Sequence, residues 1–274
     1  VSISSSFSKG IITKSGTKHI CYCLTPPRFL WDGSHKFMDQ SSYPFLIKKL
    51  LPPFISYLRV WDIEAALRVD KFIAISNFVK DRILKYYGED APVIYSPVNT
   101  SKFFISPITE IKDYFLAVGR LVPYKKFDLL VEVFNESKLP LIIAGTGPEL
   151  RRLKKIAKDN IVFKENSSDK ELSILYSQAK AFIFPQEEDF GLTPLEAMAS
   201  GTPVIAFKGG GAEETVVEGV TGTFFSQQTV EGLGKAVKDF DRNIYTPARC
   251  RSRAEEFNID KFRKNITEII DSAA

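Results

Sequence analysis

Residues 187 to 196 read EEDFGLTPLE, placing Glu188 and Glu196 eight positions apart around a glycine and a proline. Two carboxylates at such a spacing suggest an acid and base pair at first sight. The local pattern gives them different settings. The apolar run AKAFIFP (179–185) ends just before Gln186, so Glu188 falls in the loop beyond a strand. Thr193 has the character of an N-cap, Pro194 that of a first helical residue, and Glu196 completes a Thr-x-x-Glu capping box. Gly201, directly after PLEAMAS, is placed to stop the same helix. The two acids are thus expected over one crevice but not on one helix face.

Three more turns carry chemistry at strand ends. YFLAVGR (114–120) closes on Gly119 and Arg120, and Lys125 and Lys126 follow just before the helical run FDLLVEVF. Cations beside a helix N-terminus, where free N–H groups point outward, suit a phosphate, although a solvated basic turn has the same composition. The next strand ends in Gly145, Thr146 and Gly147, followed by Pro148 as a first helical residue; glycines there make a tight turn or let backbone approach a ligand. Gly209, Gly210 and Gly211 follow TPVIAF and either offer amides to an anion or form a flexible turn. No GxGxxG stands in the chain, which weakens a dinucleotide reading.

Positioning these turns requires a parallel α/β framework. Short apolar runs alternate with helical patterns throughout: HICYCLT (19–25), KFIAIS (71–76), PVIYSP (92–97), YFLAVGR, LPLIIAGTG (139–147), NIVFKEN (160–166), AKAFIFP and TPVIAFKGG (202–210). In open α/β sheets ligands bind beyond the carboxyl ends of the strands, so the four turns should converge. The Ser-, Thr- and Pro-rich segment 98–113 reads as a linker, with a boundary near residue 105. The expected parts are a partial first domain over 1–105, a nucleotide-type domain over 106–256, and a C-terminal helix over 257–274 returning towards the first domain. Two doubly wound domains need roughly 300 to 400 residues, so the first is expected to be incomplete and the chain a fragment.

Composition narrows the class. The 274 residues are 44% hydrophobic, enough for substantial cores, and a formal net charge of +4 argues against a nucleic-acid binder held by bulk electrostatics. Three cysteines, with Cys21 and Cys23 one residue apart, form no disulfide framework and suit a reducing, cytoplasmic setting. They also make a poor zinc site. No run reaches the roughly 18 apolar residues of a membrane span. Asp239-Phe-Asp241 has the spacing of a metal motif but follows a polar helical stretch instead of an apolar strand. In FLIKKLLPPFISYLRVW (45–61), Pro52 and Pro53 are expected to break any long interfacial helix, which favours packing on the sheet over membrane contact. His19 is expected at the surface, and His35 lies in a loop, where a solvated position outweighs a ligand contact.

Taken together, GRLVPYKK (119–126), GTGPEL (145–150), FPQEEDFGLTPLEAMASGTPVIA (184–206) and GGGAEETVVEGVTG (209–222) resemble the C-terminal domain of retaining glycosyltransferases of family GT4. HICYCLTPPRFLWD (19–32) and the block 57–83 resemble the N-terminal domain of its mannosyltransferase-like members. The resemblance implies the GT-B fold, two Rossmann-like doubly wound domains, the first incomplete here. It implies a nucleotide-sugar donor, GDP-mannose before a UDP-sugar, and a glycan or lipid-linked acceptor. Work without a cofactor or metal follows from the same likeness, and the expected place is the cytoplasm, with peripheral contact at the inner membrane surface as the alternative.

By position, Arg120 and Lys125, with Gly119 and Gly145 beside them, correspond to donor-diphosphate contacts, Glu188 to an acid near the donor sugar, and Glu196 to the acid that binds ribose. The backbone around Phe190, Gly191, Leu192 and Thr193 corresponds to sugar and phosphate contacts. Two departures stand out: Leu24 replaces a His common in relatives, and Lys126 replaces a usual Gly. A non-catalytic nucleotide-sugar-binding remnant is the rival class.

Overall fold

A computed structural model describes residues 1–4, 8–32, 45–105 and 111–273. His35 and residues 106–110 of the expected linker lie outside them. The chain divides into two compact units, Val1–Tyr95 with Arg263–Ala274, and Ser96–Phe262.

The first unit contains β1 (Ser2–Ser4), β2 (Ile20–Cys23), α1 (Phe45–Ala66), β3 (Lys71–Ala74) and α2 (Asn77–Tyr87). Its strands pair in parallel in the order β1-β2-β3. PVIYSP does not form a fourth strand: only Val93 bridges to Ala74, because Pro92 and Pro97 bracket the segment and neither can donate to a ladder. Pro52 and Pro53 do not end α1 either, which runs on for 22 residues. Ile55, Asp62 and Ala65 are buried along it, while Phe54, Tyr57 and Val60 remain exposed. Anchoring of that buried face offsets the ~3 kcal/mol that an interior proline costs a helix. His19 is buried instead of exposed, its Nε2 2.8 Å from Ser2 Oγ, and burial lowers its pKa. Beneath α1, Lys9 and Asp62 form an ion pair at 2.5 Å with side-chain exposures of 1% and 0%.

The second unit runs β4 (Phe115–Val118), α3 (Phe127–Ser137), β5 (Leu141–Ala144), α4 (Leu150–Ile156), β6 (Ile161–Lys164) and α5 (Asp169–Gln178). It continues through β7 (Ala181–Phe184), α6 (Leu192–Ala199), β8 (Val204–Phe207), α7 (Ala212–Thr215), β9 (Gly222–Phe225), α8 (Val230–Lys238) and α9 (Pro247–Glu255), and α10 (Ile259–Ala273) begins in it. Six strands, all parallel, lie in the order β6-β5-β4-β7-β8-β9. The sequence suggested five; β9 is the addition. Phe115 packs edge-on to Phe134 at 5.4 Å, and Phe240 stacks on Tyr245 at 5.3 Å. Such pairs contribute about 0.5–1.5 kcal/mol beyond area burial.

The units divide ten residues before the suggested boundary because the intervening segment packs onto the second unit. Val98 bridges to Asn258, Thr100 Oγ1 donates to Glu255, and Phe103 is buried against Tyr176.

Candidate functional site

The strand order reverses between β4 and β7: the chain moves outward through β5 and β6, then returns to lay β7 on the other side of β4. A crevice opens at such a switch point, outside the strand ends, where no crossing connection fills the space.

The β4 side is shaped by crossing loops. Val122 and Pro123 start a short 3-10 turn ending at Lys125, and Lys126 takes a left-handed backbone with φ of +57° before α3 begins. That conformation favours glycine over a side chain such as lysine. The β4 and β5 loops lie against each other: Leu121 N donates to the Thr146 carbonyl at 2.9 Å, and a Cβ on Gly145 would stand 2.0 Å from the Gly119 carbonyl oxygen. Close backbone approach therefore explains Gly145. Pro148 is not a first helical residue, since α4 starts at Leu150. A cavity of about 630 Å³ opens here, lined by Gly119, Arg120, Gly145, Thr146, Asn166 and Leu172. Sequence reasoning missed Asn166 and Leu172. Asn166 sits at a positive φ of 52° two residues beyond β6, a position whose only sequence signal was the end of an apolar run.

From the β7 side comes Glu188, whose Oε1 lies 3.1 Å from Lys125 Nζ; the side chains are 17% and 22% exposed for Lys125 and Glu188 respectively. This ion pair spans the switch point. Gln186 Nε2 stands 3.5 Å from the same carboxylate oxygen. Arg120 is exposed and has no carboxylate at ion-pair distance among the described residues.

The triple-glycine loop holds this carboxylate's backbone. Gly211 N donates to the Glu188 carbonyl at 2.9 Å, and Gly210 bridges to Glu188. The Gly211 amide is thus engaged by protein, which takes it out of the anion-binding alternative. A Cβ there would stand 2.3 Å from Phe190 Cα. Gly211→Ala is accordingly expected to cost about 1–3 kcal/mol, the range for forced overpacking, in a urea unfolding titration. An unchanged midpoint would show that the loop has room.

The capping box does not form. Helix α6 starts at Leu192 with Gly191 as N-cap at φ of +87° and no side-chain cap, so Thr193 lies inside the helix. Glu196 instead accepts from the Tyr176 hydroxyl at 2.9 Å. Burial raises its pKa, opposed by the Tyr176 hydrogen bond and by Lys102. The Phe190 ring is buried against Phe257, whereas Leu192 is exposed. Asp241 Oδ1 accepts from Asn243 N and caps a 3-10 turn. Among the described residues no cluster of three potential metal-binding side chains occurs.

Residues 98–257 match the family model of glycosyl transferases group 1. The chain belongs to this family. It is 37% identical over 150 residues to the O-antigen chain mannosyltransferase RfbU of Salmonella typhimurium, covering 50% of this chain and 42% of that protein. It is 30% identical over 195 residues to a GDP-mannose-dependent phosphatidylinositol monomannoside mannosyltransferase of Mycolicibacterium smegmatis, covering 60% and 51%. The chain thus spans about half the length of these curated relatives. Among solved structures, sucrose-phosphate synthase from Thermosynechococcus elongatus superposes with a TM-score of 0.74 at 21% identity, over 93% of this chain and 67% of that one. Anabaena HepE, in complex with UDP and glucose, gives 0.71 at 18%, over 92% and 77%. The fold of this group 1 chain is therefore that of the GT-B glycosyltransferases.

Proposed function

We propose that this protein is a retaining hexosyltransferase that transfers mannose from GDP-mannose to a glycan or lipid-linked oligosaccharide in cell-surface polysaccharide synthesis. The observation that carries the reading is the Lys125–Glu188 pair across the switch point, with Arg120, which has no carboxylate at ion-pair distance among the described residues, lining the cavity at the β4 end. Breaking a sugar–phosphate bond leaves negative charge on the nucleoside diphosphate and positive character at the anomeric carbon. Arg120, Lys125 and the amides at the start of α3 meet the first. Glu188 holds sugar hydroxyls or eases the second, with Lys125 shared between it and the departing phosphate. The backbone from Phe190 to Leu192 contacts sugar and phosphate, and Glu196 accepts the ribose hydroxyls. A lipid-linked acceptor would place the reaction at the inner membrane surface; no helix among the described residues is long and apolar enough to cross a membrane.

The names of the mannosyltransferase relatives support mannose, and the Mycolicibacterium protein is described as GDP-mannose-dependent. A UDP-sugar donor is the second reading, favoured by the UDP and UDP-glucose complexes of Anabaena HepE. Calorimetric titration separates them: GDP is expected to bind at least tenfold tighter than UDP, on the scale of a pocket that hydrogen-bonds one base and leaves polar groups unpaired with another. Tighter UDP binding would exchange the donor, and binding without turnover would favour a nucleotide-sugar-binding remnant.

A further inference from the structure

Tyr176, in the last turns of α5, is wholly buried, and its hydroxyl is committed to Glu196. A buried phenol is costly unless its hydroxyl is paired, and a phenylalanine would fill the same space without that demand. The ring is fixed on several sides. Phe103 meets it edge-on at 5.6 Å, Phe182 lies 5.5 Å away, and Thr202 Oγ1 donates to the Tyr176 carbonyl at 2.5 Å. Burial and the adjacent carboxylate push the phenol pKa far above neutrality, so the hydroxyl is a permanent donor and Glu196 the acceptor.

The hydrogen bond engages Oε2 of Glu196, while Oε1 accepts none among the described residues. One oxygen is thus held from below by a rigid donor, and the other remains available. Lys102, which pairs with Asp169 at 2.6 Å, adds positive charge nearby, and Asp169 adds the opposing sign.

The geometry points to Tyr176 as a positioning residue for donor recognition: its hydroxyl orients the Glu196 carboxylate to receive the ribose diol of a nucleoside diphosphate. This rests on the donor site proposed above and adds a residue that does not itself touch the ligand. A carboxylate released from Tyr176 would sample other rotamers, and each productive encounter would have to restore the orientation.

The test compares GDP and UDP with their 2′,3′-dideoxy counterparts, binding each to the unaltered protein, Tyr176→Phe and Glu196→Gln. The unaltered protein is expected to prefer the ribose form. In Tyr176→Phe that preference falls about tenfold, as for a lost hydrogen bond to a charged group, while dideoxy affinity is unchanged. Glu196→Gln shows a similar fall. A merely structural Tyr176 would weaken ribose and dideoxy ligands alike, or neither, and either result overturns the proposal. Should Tyr176→Phe fail to fold, Thr202→Val releases the Tyr176 carbonyl with the hydroxyl retained; a smaller fall in the same preference supports the proposal and none overturns it. No ribose preference in the unaltered protein removes Glu196 from the ribose, and no binding of either nucleotide removes the donor site itself.

Discussion

Arg120→Ala is expected to slow sugar transfer by about two to three orders of magnitude, the scale for losing one preorganised charge stabiliser at a centre where charge develops. Lys125 cannot take over the whole task, because its ammonium already lies 3.1 Å from Glu188. Arg120 is exposed, lines the cavity and has no carboxylate partner among the described residues, so its charge is available to a departing diphosphate. The same exposure means that the variant should retain the melting temperature of the parent. Arg120→Lys should recover part of the rate, since an ammonium restores the charge but not the two-pronged donor geometry. Steady-state turnover with a nucleotide-sugar donor is the measurement, and unchanged turnover in Arg120→Ala would remove Arg120 from the site.

The largest effect on stability is expected at Asp62. Its Oδ1 pairs with Lys9, and its Oδ2 accepts from Trp31 Nε1 at 3.0 Å and from the Tyr87 hydroxyl at 2.9 Å. Both members of the ion pair are removed from water, so the carboxylate offsets the desolvation of the ammonium as well as satisfying two neutral donors. Asp62→Ala removes the carboxylate facing a buried ammonium and the acceptor of two neutral donors, and should lower the unfolding free energy by about 3–5 kcal/mol, the cost of breaking a buried pair from one side. Removing both charges, as in Lys9→Met with Asp62→Leu, should cost far less, because no buried ion is left behind. Chemical denaturation of the three proteins decides it. Equal losses for the single and double variants would mean that the hydrogen bonds of Trp31 and Tyr87, not the buried charge, set the cost.

Much of the framework was legible because its strands are fully buried. AFIF and VIAF, buried almost throughout, read as uninterrupted apolar runs, and both are strands. Strand β9 carried no such run: Gly222 and Thr223 dilute it, and Gly222 is there because Val204 backbone passes where a Cβ would stand. PVIYSP showed the opposite error, an apolar run whose prolines deny it a ladder. Pro52 and Pro53 marked a break that the packing of α1 overrode.

At the candidate site, the charged residues and the strand ends that present them were legible from local pattern: Arg120 and Lys125 after β4, Glu188 after β7, and glycines where loops must cross. Tertiary structure alone decided the pairings. Lys125 lies more than sixty positions before Glu188, and only the reversal of strand order brings them together. Glu196 satisfied every local requirement of a capping box, yet its carboxyl meets the hydroxyl of Tyr176, twenty positions earlier on another helix. The physical reason is common to both cases. A local pattern specifies what a side chain can bond within its own turn, whereas a buried donor or counter-charge arriving from a distant element competes for the same atoms. In a low-dielectric interior that competitor prevails, because leaving it unpaired costs more than an unfilled cap at a helix end.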